Sequence, residues 1–208
     1  MNNQAIQELD QPRWDNLRAQ RQHMEQVIAD ALQIARDLGA TAAEADASLD
    51  EGLGISVRLG EVETLEHTRD RGLSVTVYQG QRKGTASCGD LEPDTIRETV
   101  QRAVDIARYT QEDPYCGLAQ AELMATEFPD LDLFHPNLMT AEDGIDRALR
   151  CEQAGRDEDS AISNSEGASF GSNLAIAAYG NSHGFLASDW GTSFSQSIAL
   201  IAGSGSNM

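Results

Sequence analysis

Positive charge is scarce in this sequence. Its 208 residues hold one lysine, Lys83, and 14 scattered arginines, against 34 Asp and Glu. The formal net charge is -19. Binding a phosphate backbone needs a basic patch that displaces counterions, so no direct nucleic-acid partner is expected. An anionic membrane surface is disfavoured on the same ground. No apolar run approaches the roughly 18 residues that would span a bilayer. Met1 to Asp15 is polar and lacks the apolar core of a signal peptide. A cytoplasmic location is therefore expected. The three cysteines, Cys88, Cys116 and Cys151, are odd in number and far apart. That excludes a disulfide framework and a CxxC zinc site.

The residues that are present describe a globular chain, 40% hydrophobic and 24% charged. Its length suits one large domain or two small ones. Charge is unevenly spread. From Ser160 onward the only formal charges are Glu166 and Asp189, among 12 Ser and 7 Gly. Such a shift in composition marks a domain boundary.

Residues 1–21 read as a polar extension. Met24, Val27, Ile28, Ala31, Ile34, Ala35 and Leu38 then recur at helical spacing, and Gly39 follows as a stop. Glu44 to Leu49 alternates weakly, as a strand does. Leu53, Ile55, Val57 and Leu59 alternate more clearly, and Gly60-Glu61 suits a type II′ hairpin. Val62 to Thr68 returns, Arg69-Asp70-Arg71-Gly72 reads as a turn, and Leu73, Val75 and Val77 alternate again. Gly80-Gln81 offers another Gly-X turn before Arg82 to Cys88. A second helix, with Pro93 in its first turn, lines up Ile96, Val100, Ala103, Val104 and Ala107. Helices over a meander give an α+β layer.

Residues 111–139 contain Pro114, Pro129 and Pro136 without a period and read as an irregular linker. Thr140-Ala-Glu-Asp143 resembles a capping box opening a third helix. Beyond Arg156 long strands follow, around Phe170 to Ala178 and Trp190 to Leu200. Asn164-Ser165-Glu166-Gly167 and Asn181-Ser182-His183-Gly184 share the pattern N-S-x-G, and each reads as a strand-to-strand corner. The last strand is uncharged, whereas natural sheets protect exposed edges with charge. The chain is therefore expected to be the first part of a longer protein.

Gly180-Asn-Ser182-His-Gly184 matches G-x-S-x-G, the nucleophile elbow of α/β-hydrolases. The elbow needs a strand-to-helix turn, and Phe185 to Ala202 has strand periodicity instead. Ser182 as the nucleophile of a serine hydrolase is thus an alternative with weak support. The four histidines, His23, His67, His135 and His183, form no H-E-x-x-H pair, so no metal site is legible in this chain. Acidic residues such as Asp130, Asp132, Glu61, Glu63 and Glu66 read as solvated charge. A sheet edge that binds extended peptides is one physical route to function.

Several segments recur together: Arg71-Gly-Leu-Ser-Val-Thr-Val-Tyr78, Gly84-Thr-Ala-Ser87, Glu112-Asp-Pro-Tyr115, Asp130-Leu-Asp-Leu-Phe-His-Pro136 and the two N-S-x-G motifs. In this order and spacing they resemble the N-terminal portion of the PmbA/TldD family, on its PmbA (TldE) side. That resemblance implies a cytosolic subunit of a metallopeptidase that cuts extended peptides. It also implies a TldD-like partner that carries the zinc motif H-E-x-x-x-H, and a family once labelled a modulator of DNA gyrase. It assigns no catalytic residue and no metal ligand to this chain, so zinc is implied in the partner only. Asn164, Ser165, Gly167, Asn181, Ser182 and Gly184 are expected to be structural turn residues.

The expected architecture is α+β: a β-meander covered by two helices, then a helix and long antiparallel strands of an incomplete second domain. The expected divisions are 1–21, 22–110, 111–139 and 140–208. The alternatives to a peptidase subunit are the serine hydrolase and a non-enzymatic binding or scaffold module.

Overall fold

A computed structural model describes residues 11–135 and 139–203. Helix α1 runs Gln11–Asp37 and buries Leu17, Met24, Val27, Ile28, Ala31 and Ala35 along one side. Its solvent side is braced by glutamine–aspartate hydrogen bonds four residues apart, Gln11 to Asp15, Gln26 to Asp30 and Gln33 to Asp37. Gly39, at φ +86°, ends it in the left-handed conformation that glycine adopts freely.

The helix starts earlier than expected. Residues 11–21 are helical rather than an extension, and 1–10 lie outside the described residues. Trp14 and Leu17 anchor this first part. The Trp14 ring lies 5.4 Å from that of Phe134 and 5.8 Å from that of Trp190, edge to face in both cases. A stretch that touches the core through so few side chains shows no apolar period.

Strands β1 (Ala42–Arg58), β2 (Glu61–Gln79), β3 (Arg82–Cys88), β4 (Ile162–Asn181) and β5 (Leu186–Ala202) form one antiparallel sheet in the order β3-β2-β1-β4-β5. The α+β class holds. The meander holds as well, as β1-β2-β3, but with fewer and longer strands than expected, because β1 and β2 are each one long strand. The expected turn Arg69-Asp70-Arg71-Gly72 lies inside β2, where Asp70 pairs with Asp50 of β1. Its charges fit an edge rather than a corner. β3 pairs with β2 only from Leu73 onward, which leaves Glu61 to Gly72 as a free edge. Charge on such an edge discourages pairing with another chain. Arg69 meets Glu51 at 3.1 Å, and Arg71 lies 3.7 Å from Asp90.

The β1–β2 hairpin turns at Leu59 and Gly60, with φ of 51° and 84°. Two positive values make it type I′, not the type II′ expected of Gly60-Glu61. The Gly80-Gln81 turn has Gly80 at φ 61°, as a Gly-X pattern requires.

The helices cover one face. Ala43, Ala45, Ala47, Leu49, Ile55 and Val57 alternate along β1 and are all buried. The first four join Leu73, Val75 and Val77 of β2 beneath α1 and helix α2 (Pro93–Tyr109). Ile55 and Val57 join Ala168 and Phe170 beneath helix α3 (Ala141–Asp157), which contributes Ala148 to the cluster. α2 lies so close to β3 that a Cβ on Gly84 would come within 2.1 Å of the Ala103 carbonyl oxygen. The capping box of α3 forms as expected: Asp143 N–H donates to the Thr140 hydroxyl, and Thr140 N–H donates to the Asp143 carboxylate.

The change in composition at Ser160 is not a break in the sheet. β4 pairs with β1 from Glu44↔Asn181 to Val57↔Ala168. The reverse face carries Glu44, Asp46, Ser48, Ser74, Thr76 and Tyr179. Residues 111–135 hold a single 3-10 turn, Ala121–Leu123, and pass over part of that face. They are tied down where Asp113 N–H donates to Gln81 O and Thr192 N–H donates to Leu133 O.

Candidate functional site

The Ala-Glu-Ala-Asp-Ala pattern of residues 43–47 sends three alanines into the core and two acids to the reverse face. Glu44 is held by two phenols. Tyr78 Oη donates to one carboxylate oxygen at 2.6 Å and Tyr179 Oη to the other at 2.8 Å. Asn181, which is buried, places Nδ2 3.4 Å from the Tyr179 hydroxyl and 3.3 Å from Met124 Sδ. Burial, and then the Glu44 carboxylate beside it, raises the Tyr78 pKa well above that of an ordinary phenol. Burial also raises that of Tyr179. Both phenols therefore stay protonated and remain donors at neutral pH. Asp46 is raised too, chiefly by burial, with Glu44 adding repulsion and a hydrogen bond from Ser74 opposing.

Next to this cluster a groove of about 950 Å³ opens between the sheet and the crossing segment. Asp46, Ala177, Tyr179 and Asp189 contribute to its floor, and Phe128 to Leu131 form a wall. Phe185 bridges the two, with its ring 5.5 Å from Phe128 and 5.7 Å from Tyr179. Around the β5 edge, Arg21 and Glu25 of α1 close the groove. The Arg21 guanidinium donates to Ser188 Oγ and Ser188 O and lies 5.1 Å over the Trp190 ring. Sequence reasoning did not single out this groove. The signal available was the Ala-Glu-Ala-Asp-Ala alternation of residues 43–47, which was read only as a weak strand.

The two N-S-x-G motifs sit in different geometries. Asn181 to Gly184 is the β4–β5 corner, with Gly184 at φ 89°. Ser182 Oγ accepts from Ala43 N–H at 3.1 Å, and Ser182 N–H donates to Ala43 O at 2.8 Å. A strand follows this corner rather than the helix of a nucleophile elbow, and among the described residues no histidine is hydrogen-bonded to Ser182. Asn164 to Gly167, by contrast, is no corner. It lies inside β4, where the pairing with β5 shifts register on both sides of Ser165, and Gly167 has φ 110°. One extra residue can be absorbed as a bulge without turning the chain.

Ser165 in that bulge meets Glu152 of α3. Glu152 is buried, with 1% of the residue exposed. It accepts from Leu59 N–H and Gly60 N–H, both at 2.8 Å, and from Ser165 Oγ at 2.5 Å. Burial alone would raise its pKa, but the three donors outweigh it and hold the group below the ordinary value.

Among the described residues no three His, Cys, Asp or Glu side chains gather as a metal site. The groove acids do not supply the histidine or thiolate nitrogen and sulfur donors that zinc favours. The zinc of a metallopeptidase therefore does not fit these residues.

Family models match two parts of the chain. PmbA/TldA metallopeptidase domain 1 covers residues 43–107, and the PmbA/TldA metallopeptidase central domain covers 134–208. The chain belongs to the PmbA/TldD family. It is 45% identical to Metalloprotease PmbA of Escherichia coli O157:H7 over 184 residues, which is 88% of this chain and 41% of that protein. It is 41% identical to the Metalloprotease PmbA homolog of Haemophilus influenzae over 187 residues, 90% of this chain and 41% of that one. The chain thus spans about two fifths of the length of these relatives. The fold recurs in solved crystal structures. TldE of Thermococcus kodakarensis superposes with a TM-score of 0.69 at 17% identity, covering 88% of this chain and 40% of its own. A Bacteroides thetaiotaomicron protein carrying the name modulator of DNA gyrase superposes at 0.78 and 22% identity, covering 86% and 41%. In PmbA/TldD terms, β1 lies in the first family domain and its neighbour β4 in the central one. No helix among the described residues is long and apolar enough to cross a membrane.

Proposed function

We propose that this chain is the N-terminal part of a PmbA-type subunit of a cytoplasmic metallopeptidase that degrades or processes extended peptides. A TldD-like partner supplies the zinc. The observation that carries the proposal is the 45% identity to a metalloprotease PmbA across most of the chain. The acidic charge, -19 overall, argues against direct DNA contact despite the gyrase label attached to some relatives. In this reading zinc supplies the activated water when bound in the partner. This chain supplies walls and sheet edges that admit an extended peptide and turn away folded proteins.

The test is co-expression of the complete gene product with a zinc-bearing TldD-like chain. Stable co-purification and peptide cleavage that chelators abolish are expected. Cleavage insensitive to chelators, or a fluorophosphonate label on Ser182, would overturn the proposal and favour the hydrolase. Absence of any cleavage, with or without the partner, would leave the scaffold reading.

A further inference from the structure

The groove between the reverse face and the crossing segment has an unusual balance of chemistry. Four acids line it, Glu25, Asp46, Asp130 and Asp189, against one base, Arg21. Arg21 is already committed to Ser188 and the Trp190 ring. Among the described residues none of the four acids forms an ion pair. Glu25 accepts from Ser188 Oγ, Asp189 from Trp190 N–H and Asp130 from Asp132 N–H. Between the acids stand aromatic surfaces. Phe128, Phe185 and Tyr179 all line the groove and meet one another edge to face or tilted. Phe128 is more than half exposed.

Carboxylates beside aromatic faces recognise organic cations. The acids attract the charge, and the rings add cation–π attraction and cover the alkyl stem. The groove is open at the surface and, at about 950 Å³, far larger than a metal ion or a single ammonium group needs. An extended chain carrying a cationic side chain matches both its shape and its charge.

We propose that this groove binds basic extended peptide segments, seating a lysine or arginine side chain among Asp46, Asp189, Phe128 and Tyr179. The biological meaning rests on the peptide-handling reading above. The binding itself needs neither the partner nor zinc. Peptide bound here with no cleavage by the assembled complex would therefore sink the proposed function and leave the groove standing.

Trp190 lines the groove and reports on occupancy. The experiment titrates the 208-residue chain with a lysine-bearing extended peptide and with the same peptide carrying glutamines, following the combined emission of Trp14 and Trp190 and calorimetry. The lysine peptide is expected to bind more tightly and to weaken with added salt. The double variant Asp46→Asn/Asp189→Asn is expected to weaken it at least about fivefold, equivalent to ~1 kcal/mol. Phe128→Ala, in the crossing segment and away from the sheet, is expected to weaken it as well. Glu61→Gln/Glu63→Gln removes the same charge at the far end of the sheet and should leave binding unchanged. Three results would overturn the proposal: equal losses in both double variants, which would mean attraction to the net charge alone; equal affinity for the glutamine peptide, which would mean a merely apolar groove; or no binding at all. Circular dichroism and melting temperature confirm that each variant is folded before its affinity is read.

Discussion

Replacing Glu152 tests the account of the hairpin clamp most sharply. One carboxylate joins three separate pieces of chain: the β1–β2 turn at Leu59 and Gly60, helix α3, and the β4 bulge at Ser165. Hydrogen bonds to an ionised group are worth about 1.5–3 kcal/mol each. Leu59 is half exposed, so water can recover part of the loss at the turn. Glu152→Ala is therefore expected to cost about 3 kcal/mol, below the full sum of three bonds. Glu152→Gln should cost about 2 kcal/mol, because its amide keeps one acceptor but turns an N–H toward donors that need an acceptor. The pH dependence has a definite sign. The folded pKa lies below the unfolded value, so the clamp contributes fully above the unfolded value of about 4.5. That contribution is lost as pH falls through the lowered folded pKa. Urea denaturation of the parent and Glu152→Gln should show a gap at neutral pH that narrows in acid. Native-state hydrogen exchange at Leu59 and Gly60 should quicken in both variants. A loss under about 0.5 kcal/mol at neutral pH, or a gap that does not change with pH, would refute the reasoning.

Other substitutions test separate features. Gly84→Ala forces a methyl group onto the α2 backbone at Ala103 and Ala107 and should cost ~2 kcal/mol or more. Gly54→Ala, with nothing within 4 Å, should leave the melting temperature nearly unchanged or slightly raised. Trp14→Ala should lose about 2 kcal/mol and red-shift Trp190 emission, because the aromatic trio with Phe134 comes apart. Ser182→Ala should cost about 1 kcal/mol through the Ala43 N–H contact, yet leave peptide cleavage by the assembled complex intact. Abolished cleavage there would restore Ser182 as a nucleophile.

Where a side-chain period and a local signal agreed, the sequence was readable. α2 follows its stripe from Ile96 to Ala107, and α3 begins at its Thr140 capping box. The Asn181–Gly184 corner and the Gly80-Gln81 turn were also visible. The errors came from charges and glycines whose setting is tertiary. Arg69 to Gly72 looks like a turn until the free edge of β2 is known. Asn164 to Gly167 has the residues of a corner, but pairing with Ile201, Leu200 and Ala199 of β5 keeps it inside a strand. The groove was not legible, because Asp46, Phe128, Phe185 and Asp189 come from separate parts of the chain. Nothing in the sequence around Glu152 announces that its partners lie at Leu59, Gly60 and Ser165.

The pairing of β1 with β4 also bears on how the chain is made. Ala43 and Ser182 are 139 residues apart, and they hydrogen-bond to each other at the end of that ladder. A ribosome adding about 5–20 residues per second needs on the order of ten seconds to bridge that interval. Throughout it β1, the central strand of the finished sheet, has β2 on one side and an empty ladder on the other. Long-range strand pairing of this kind is slow to nucleate and exposed to misassembly. The emerging chain should therefore be a client of ribosome-associated chaperones. Fragments ending between the two family domains should aggregate rather than behave as small folded proteins.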